Sequence, residues 1–394
     1  MTKHKLAALF GLVALVAASV GVLDPAGAAA GGRHAVRVCS APTKAGVAAC
    51  TAKVMVDKNG KVAATSKPPA GAATPAQLRS AYGLTGDATS TVAVIDAYGY
   101  TNLEGDLGVY RSQFGLAPCT KANGCLRVIN QTGGTSLPRM NVGWAGETAL
   151  DVDAVSAICP SCKILVVQAR SASIADLGTA ASTASKQAGV VAISNSYGGG
   201  DISDASAGAY YNHPGIAVTA STGDNGYKGG SFPASSSYVV AVGGTSLVMS
   251  GLNRVSESAW SGAGSGCSTV NTALAGAGAF GTGCSKRAIA DVSAAADPAN
   301  GGMAVYYPTS TRSSTWAQVG GTSESSPIIA SVFALAGGVP AGVQANSLPY
   351  AHSSSLRDIV SGSNGSCSTT QWCTARSGWD GPTGLGVPNG TGAF

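Results

Sequence analysis

Ser323 stands in the run Gly320-Gly321-Thr322-Ser323-Glu324-Ser325-Ser326-Pro327, just ahead of the apolar stretch Ile328 to Leu335. A serine at a Gly-rich turn that opens a buried helix has its hydroxyl exposed in the positive field of the helix N-terminus. Taken alone, such a serine is more often an N-cap. To act as a nucleophile it needs a base, and histidine is scarce. His4 and His34 lie at the N-terminus, which leaves His213 and His352, neither in a Gly-His-Gly-Thr-like context at the start of a helix. A Ser-His-Asp triad would require the fold to recruit one of them; the plainer reading of both is a surface or loop position.

Carboxylates offer another base. Gly143-Trp144-Ala145-Gly146-Glu147-Thr148-Ala149-Leu150-Asp151-Val152-Asp153-Ala154-Val155 places Glu147 and Asp151 four apart on a helical pattern, hence on one face. Leu150, Ala154 and Ile158 form a packing stripe beside them, so the acids border a buried surface. On a solvated helix such a pair is decoration; near a pocket, mutual repulsion raises one pKa, and the two groups share a proton while leaving a carboxylate to accept another. Asp153 projects elsewhere and reads as structural. In Ala220-Ser221-Thr222-Gly223-Asp224-Asn225-Gly226, Asp224 is either a turn former or, when protonated, a hydrogen-bond donor to an oxyanion. Ile193-Ser194-Asn195-Ser196-Tyr197-Gly198-Gly199 supplies backbone and small side chains suited to an extended peptide.

Near the C-terminus, Asp358-Ile359 and Ser377-Gly378-Trp379-Asp380 flank an insertion carrying Cys367 and Cys373. Two carboxylates with nearby carbonyls match the hard oxygen ligands of calcium. From spacing alone, two acidic turns unrelated to metal are the default reading.

These groups must be positioned by an α/β frame. Short apolar runs at Thr91 to Ile95, Lys163 to Gln168, Val190 to Ile193, Gly215 to Ala220 and Tyr238 to Val242 alternate with helical patterns such as Trp144 to Ile158 and Ile174 to Gln187. Alternation of this kind implies a parallel sheet covered on both faces, with active groups gathered at the carboxyl ends of its strands.

Lys3 and Lys5 precede the apolar run Leu6 to Leu23 and the small residues Ala26 to Ala30, the pattern of a cleaved export signal over residues 1–30. Residues 31–73 read as a short pro-segment and a linker ending in Lys67-Pro68-Pro69-Ala70-Gly71, and the main domain is expected over 74–394. Charged residues are only 11% of the chain, and the net charge of +5 is spread without a basic run, which argues against a nucleic-acid or membrane-surface partner. Ten cysteines in an exported chain point to disulfides. They fall into five sequence-near couples, so local pairing is the simplest connectivity; a redox or zinc role for Cys159-Pro-Ser-Cys162 lacks a second ligand pair.

In this order, Glu-x-x-x-Asp, Ser-Tyr-Gly, Gly-Asp-Asn-Gly, Phe232-Pro233-Ala234-Ser235, Gly-Thr-Ser-x-x-x-Pro, Asp-Ile and Gly-Trp-Asp resemble the sedolisin family of serine-carboxyl peptidases. The match runs from about Thr74-Pro75-Ala76-Gln77-Leu78 to Asn389. The resemblance implies a subtilisin-like parallel sheet of about seven strands flanked by helices. It also implies a monomeric, secreted, acid-acting peptidase for peptide or protein substrates. In that reading Ser323 is the nucleophile, Glu147 the general base, Asp151 its proton-sharing partner and Asp224 the oxyanion acid. One Ca2+ ion would be held by the side chains of Asp358 and Asp380 and the carbonyls of Ile359, Arg376 and Gly378. The competing readings are a catalytically silent extracellular binding protein on the same scaffold and a neutral subtilisin-like protease that uses Asp96 and an unconventional histidine. The chain also departs from the family pattern: the pro-segment is short, Tyr197 stands where Trp is common, Asp96 stands where some members carry a Glu linked to the catalytic pair, and Arg376 stands where glycine usually separates the calcium-site carbonyls.

Overall fold

Val92, Ala93, Val94 and Ile95 are all buried, and alternate residues of this run enter different cores. Val92 and Val94 pack on the side of Leu150, Ile328 and Phe333, whereas Ala93 and Ile95 pack with Leu177, Ala181 and Ile193. That two-residue alternation, apolar in both directions, is what a strand covered on both faces demands. The computed structural model describes residues 1–2, 32–42 and 44–394. The expected export signal, residues 1–30, thus falls outside the described residues except for the first two.

The strands of the frame, in chain order, are β1 (His34–Arg37), β2 (Ala49–Cys50), β3 (Lys53–Val56), β4 (Thr91–Ala97), β5 (Leu126–Asn130), β6 (Lys163–Ala169) and β7 (Val190–Asn195). They continue as β8 (Tyr197–Gly198), β9 (Ala217–Ser221), β10 (Val240–Ser250), β11 (Asn253–Ala259), β12 (Val292–Ala295), β13 (Met303–Pro308) and β14 (Ser314–Gly320). The helices are α1 (Pro75–Ala81), α2 (Leu103–Gln113), α3 (Val142–Ile158), α4 (Ile174–Ala184), α5 (Asp204–Ala207), α6 (Thr322–Leu335) and the short α7 (Ser347–Ala351). Parallel pairing runs in the order β12-β10-β9-β7-β4-β6-β5, and β11 adds an antiparallel eighth strand alongside the second half of β10. This is the expected α/β arrangement: helices α3 and α6 cover one face and α4 the other.

Helix α3 is buried from Trp144 to Ile158, with no solvated face at all. The sequence permits this because most of its side chains are small, and Asn141 caps its start by accepting from the Trp144 N–H at 3.1 Å. Gly146 is required on that helix. A Cβ there would stand 2.5 Å from the Tyr307 ring of β13.

All five expected local disulfides form: Cys39–Cys50, Cys119–Cys125, Cys159–Cys162, Cys267–Cys284 and Cys367–Cys373. Residues 34–56, within the segment read as pro-segment and linker, contribute structure of their own. Strands β1, β3, β14 and β13 make a second, antiparallel sheet in that order, and β2 pairs with β8. Among the described residues no helix is long and apolar enough to cross a membrane.

One buried ion pair lies at the start of β10 and β12. Arg287 and Asp291 are fully buried 2.5 Å apart, and Asp291 also accepts from Tyr350 Oη and the Ala241 N–H, each at 2.8 Å. Removing one partner of such a pair strands a charge in a dry interior. Arg287→Met is therefore expected to lower the unfolding free energy by about 3–5 kcal/mol, measured by urea denaturation. A loss under about 1 kcal/mol, the scale of an exposed pair, would show that the pair is not structural.

Candidate active site

Strand β14 runs straight into Gly321, whose φ of 114° turns the chain into α6. No other residue fits: a Cβ at this position would lie 2.1 Å from the Thr51 carbonyl oxygen and 2.5 Å from Asp224 Oδ2. The turn leaves Ser323 in the first turn of α6, close to the carboxyl ends of β7 and β9. There its hydroxyl lies 3.3 Å from the Ser196 carbonyl and 3.0 Å from the Thr51 hydroxyl.

Helix α3 delivers Glu147 and Asp151 to the same place, and β4 delivers Asp96. All three are fully buried. Burial pushes Glu147 well above the ordinary carboxyl range, and the neighbouring Asp96 raises it further, while the nearby Ser323 hydroxyl and Ala52 N–H favour its charged form; neither of its carboxyl oxygens has a hydrogen-bond partner. Asp151 is raised by burial and then by Asp96 and Glu147, while the Ser196 hydroxyl, donating to Oδ1 at 2.8 Å, favours its charged form. Burial lifts Asp96 to about 7, against the Thr148 hydroxyl. Three carboxyl groups in one dry cluster therefore retain protons to higher pH than solvated acids do, and they titrate as a set. Asp96 belongs to this cluster. It is fully buried at the end of β4, not on a surface turn.

Asp224 follows β9 through Thr222 and Gly223. Its Oδ1 accepts from the Thr322 N–H at 2.8 Å and the Thr322 hydroxyl at 2.9 Å, which ties the loop to the turn before Ser323. Its Oδ2 is buried and has no partner, and it faces the space beside Gly321. Burial raises Asp224 to about 6, offset by Lys53, Thr322 and Arg37. An unpartnered carboxyl oxygen with a raised pKa, aimed at the turn that carries Ser323, is equipped to donate a proton to an oxygen placed there.

Neither candidate histidine approaches this cluster. His213 hydrogen-bonds the Tyr210 carbonyl at 2.9 Å and precedes β9, at the opposite end of that strand from Asp224. His352 is exposed at the end of a short helix. Asp153, buried within α3, accepts from the Tyr306 N–H at 3.4 Å on the β13 side, away from the cluster. Tyr197 packs against Trp144, ring centroids 6.4 Å apart, beneath the Ser196–Gly198 segment.

Four residues that reach Ser323, Gly321 or the Asp224 loop lay in the segment read as pro-segment and linker: Arg37, Thr51, Ala52 and Lys53. Lys53 Nζ donates to the Asp224 carbonyl at 2.7 Å, and Arg37 donates to Asn225 Oδ1 at 2.7 Å. The signals available in the sequence were the Cys39 and Cys50 couple and the apolar Val54-Met55-Val56 that follows.

The C-terminal loops bring Asp358 and Asp380 together. Asp358 Oδ2 accepts from the Gly378 N–H at 2.8 Å, and Asp380 accepts from the N–H groups of Arg376 and Thr383 at 3.1 and 2.9 Å. Burial raises Asp380 to about 7, with Asp358 adding to the shift. Among the described residues no ion pair reaches either acid, and no cluster of three or more His, Cys, Asp or Glu is suited to a metal. Carboxylates that converge in this way are hard oxygen donors of the kind calcium takes.

No family model matches the chain. Kumamolisin from Bacillus sp. (strain MN-32) is 31% identical over 286 residues, an alignment that covers 62% of this chain and 49% of that protein. The chain thus matches about half the length of this curated relative. Among solved structures, Pseudomonas sedolisin, a serine-carboxyl proteinase complexed with two molecules of pseudo-iodotyrostatin, superposes with a TM-score of 0.66 and 25% identity over 82% of this chain and 96% of that one. A psychrophilic protease designated S41 shares the fold alone, with a TM-score of 0.51 and 19% identity over 83% of this chain and 99% of that one. These likenesses give the chain a subtilisin-like fold and a similarity to the serine-carboxyl peptidases kumamolisin and sedolisin.

Proposed function

We propose that the chain is an exported serine-carboxyl peptidase that cleaves peptide bonds at acid pH, acting as a monomer on peptide or protein substrates. The observation that carries this reading is the company Ser323 keeps: Glu147, the unpartnered Oδ2 of Asp224, and neither His213 nor His352. Ser323 attacks the substrate carbonyl as Glu147 takes its proton, a transfer that the Glu147, Asp151 and Asp96 cluster makes easier by sharing charge. Asp224, protonated, donates to the oxyanion together with the Ser323 N–H. Glu147 then returns the proton to the leaving amine, and water cleaves the acyl-enzyme. Export is supported by the basic and apolar N-terminal pattern and by five disulfides.

This chemistry fixes a pH profile. Asp224 must be protonated to donate, and its protonated fraction falls as pH rises through about 6, by about tenfold per unit beyond that. At low pH the rate falls again as the Glu147 and Asp151 pair becomes doubly protonated. Peptide hydrolysis measured from pH 2 to 8 should trace an acid bell, and Ser323→Ala should remove it. Asn in place of Asp224 donates without a proton, so residual activity of Asp224→Asn should extend to higher pH than in the wild type. A wild-type optimum near pH 7 to 8, or full activity in Ser323→Ala, contradicts the proposal.

Asp358 and Asp380, with the carbonyls of Ile359, Arg376 and Gly378, would hold one calcium ion. Bound there, the ion would neutralise the acid pair and fix the loop; it takes no part in the proton transfers. Added calcium should raise the Tm and chelation lower it, since a ligand that binds only the native state stabilises it. Asp380→Asn should blunt the response. An unchanged Tm in both conditions would leave the loops as structure only.

A further inference from the structure

Asp96 of β4 is the register partner of Gln168 on β6, and Gln168 is in turn the partner of Asn130 on β5. All three side chains turn to the α3 face of the sheet. Ile95 and Ala97 pack in the opposite core, as do Val167 and Ala169, so the residue between each two points away from it; Asn130 likewise follows Ile129 of that core. Neighbouring strands lie about 4.8 Å apart, which sets the Gln168 amide beside the Asp96 carboxyl. Both side chains are fully buried. Neither carboxyl oxygen of Asp96 and neither amide atom of Gln168 has a hydrogen-bond partner.

Gln168 also lines a cavity of about 280 Å³, together with Asn130, Gln131, Leu137 and Arg170. The Asn130 amide is committed elsewhere: Nδ2 donates to the Ser136 carbonyl at 3.0 Å, and Oδ1 accepts from the Thr132 and Gly134 N–H groups at 2.9 Å. Gln131 is committed too, donating to Asp176 at 2.9 Å and accepting from the Arg170 N–H at 2.6 Å. The Gln168 amide is not. Leu137 and Arg170 are exposed at the rim, so the cavity opens to solvent. A cavity of about 10–15 Å³ already admits a water molecule, provided that polar groups receive it. This one is far larger and ends on an amide that can both donate and accept. The approach from Ser323 is shut by contrast. The Thr51 hydroxyl lies 3.0 Å from the serine hydroxyl, the Thr51 N–H donates to the Ser196 carbonyl at 3.2 Å, and Ser323 and Glu147 are fully buried.

We infer that the cavity at Gln168 is the route by which protons pass between solvent and the buried acids at Asp96, with Gln168 as the positioning residue that holds a water against Asp96 at the edge of the cluster. Gln168 itself carries no proton. Its Nε2 donates to the water and its Oε1 accepts from it. Asp96 gives a proton to that water, which hands one of its own outward; the reverse sequence returns a proton to the carboxylate, so atoms and charge balance. On the inner side Asp96 meets Glu147 and Asp151 of α3. On the outer side the charged groups are Arg170 and Asp176, paired with each other at 3.0 Å. The route lets the acid set follow the pH of the medium while the serine side is covered. It concerns the acids of the proposed peptidase, but proton exchange needs no peptide cleavage, so its failure leaves that reading standing.

The test uses the full chain carrying Ser323→Ala, so that no peptide-bond chemistry intrudes, at about pH 5, where an acid raised to about 7 holds its proton. On transfer into D2O the infrared C=O band of each buried carboxyl shifts as its proton is replaced, and Asp96→Asn identifies the Asp96 band. Gln168→Met, close in size but unable to hold a water, should slow exchange of that band by about tenfold or more, the factor set by losing one hydrogen bond to a charged group. Gln168→Ser, which still donates and accepts, should exchange at the parent rate. Glu324, another fully buried acid, on α6, is the control. Its band, identified by Glu324→Gln, should keep its rate in Gln168→Met, which separates a blocked route from an altered fold. An unchanged Asp96 rate in Gln168→Met, or an equal slowing at Glu324, overturns the inference. If Gln168→Met does not fold, Leu137→Trp decides instead, since it fills the mouth from the exposed rim: slowed exchange at Asp96 is expected, and an unchanged rate overturns the inference.

Discussion

The structure depends on keeping acids dry. Asp96, Glu147, Asp151 and Asp224 are enclosed around one serine, and among the described residues none forms an ion pair. An isolated carboxylate cannot be buried cheaply, so such groups hold protons to higher pH than solvated ones. This constraint explains why α3 is buried on every side and why its residues are small. The helix has to bring two carboxyls into the sheet's carboxyl edge with water shut out, and room for β13 on its other flank comes from Gly146.

The same enclosure makes the front of the site a matter of backbone. With side chains committed to the carboxyl cluster, the groups left to hold an extended peptide are the carbonyl of Ser196, the edge Tyr197–Gly198, the Ala172–Ile174 segment and the Ser323 N–H. Residues 46–53 engage every one of these groups. Arg37 and Lys53 reach Asn225 and Asp224 from that segment and lower the Asp224 pKa, so the charge state of Asp224 depends partly on these two cations.

Much of this was legible in the sequence because it rests on local pattern. The apolar runs at Thr91, Lys163 and Val190 announce strands buried on both faces. Glu147 and Asp151 share a helix face by spacing alone, and the cysteine couples close short loops. What was not legible depends on partners far along the chain. β1, β2 and β3 are two to four residues long in a small, polar segment and exist because β14 and β8 supply their hydrogen bonds. The second half of β10 and β11 lie at the sheet's edge with mixed polarity, so they lack an apolar run. Asp96 ends a strand and reads equally as a turn acid until α3 is packed against it.

The central claim is that a carboxyl group, not a histidine, activates Ser323. The most direct measurement is the rate at which Ser323 is acylated by an activated ester at acid pH, in wild type, Glu147→Gln and His213→Ala. Loss of a positioned general base should slow acylation in Glu147→Gln by about 10²–10⁴-fold, while His213→Ala acylates at the wild-type rate. Near-wild-type acylation in Glu147→Gln, or a comparable loss in His213→Ala, would contradict the account.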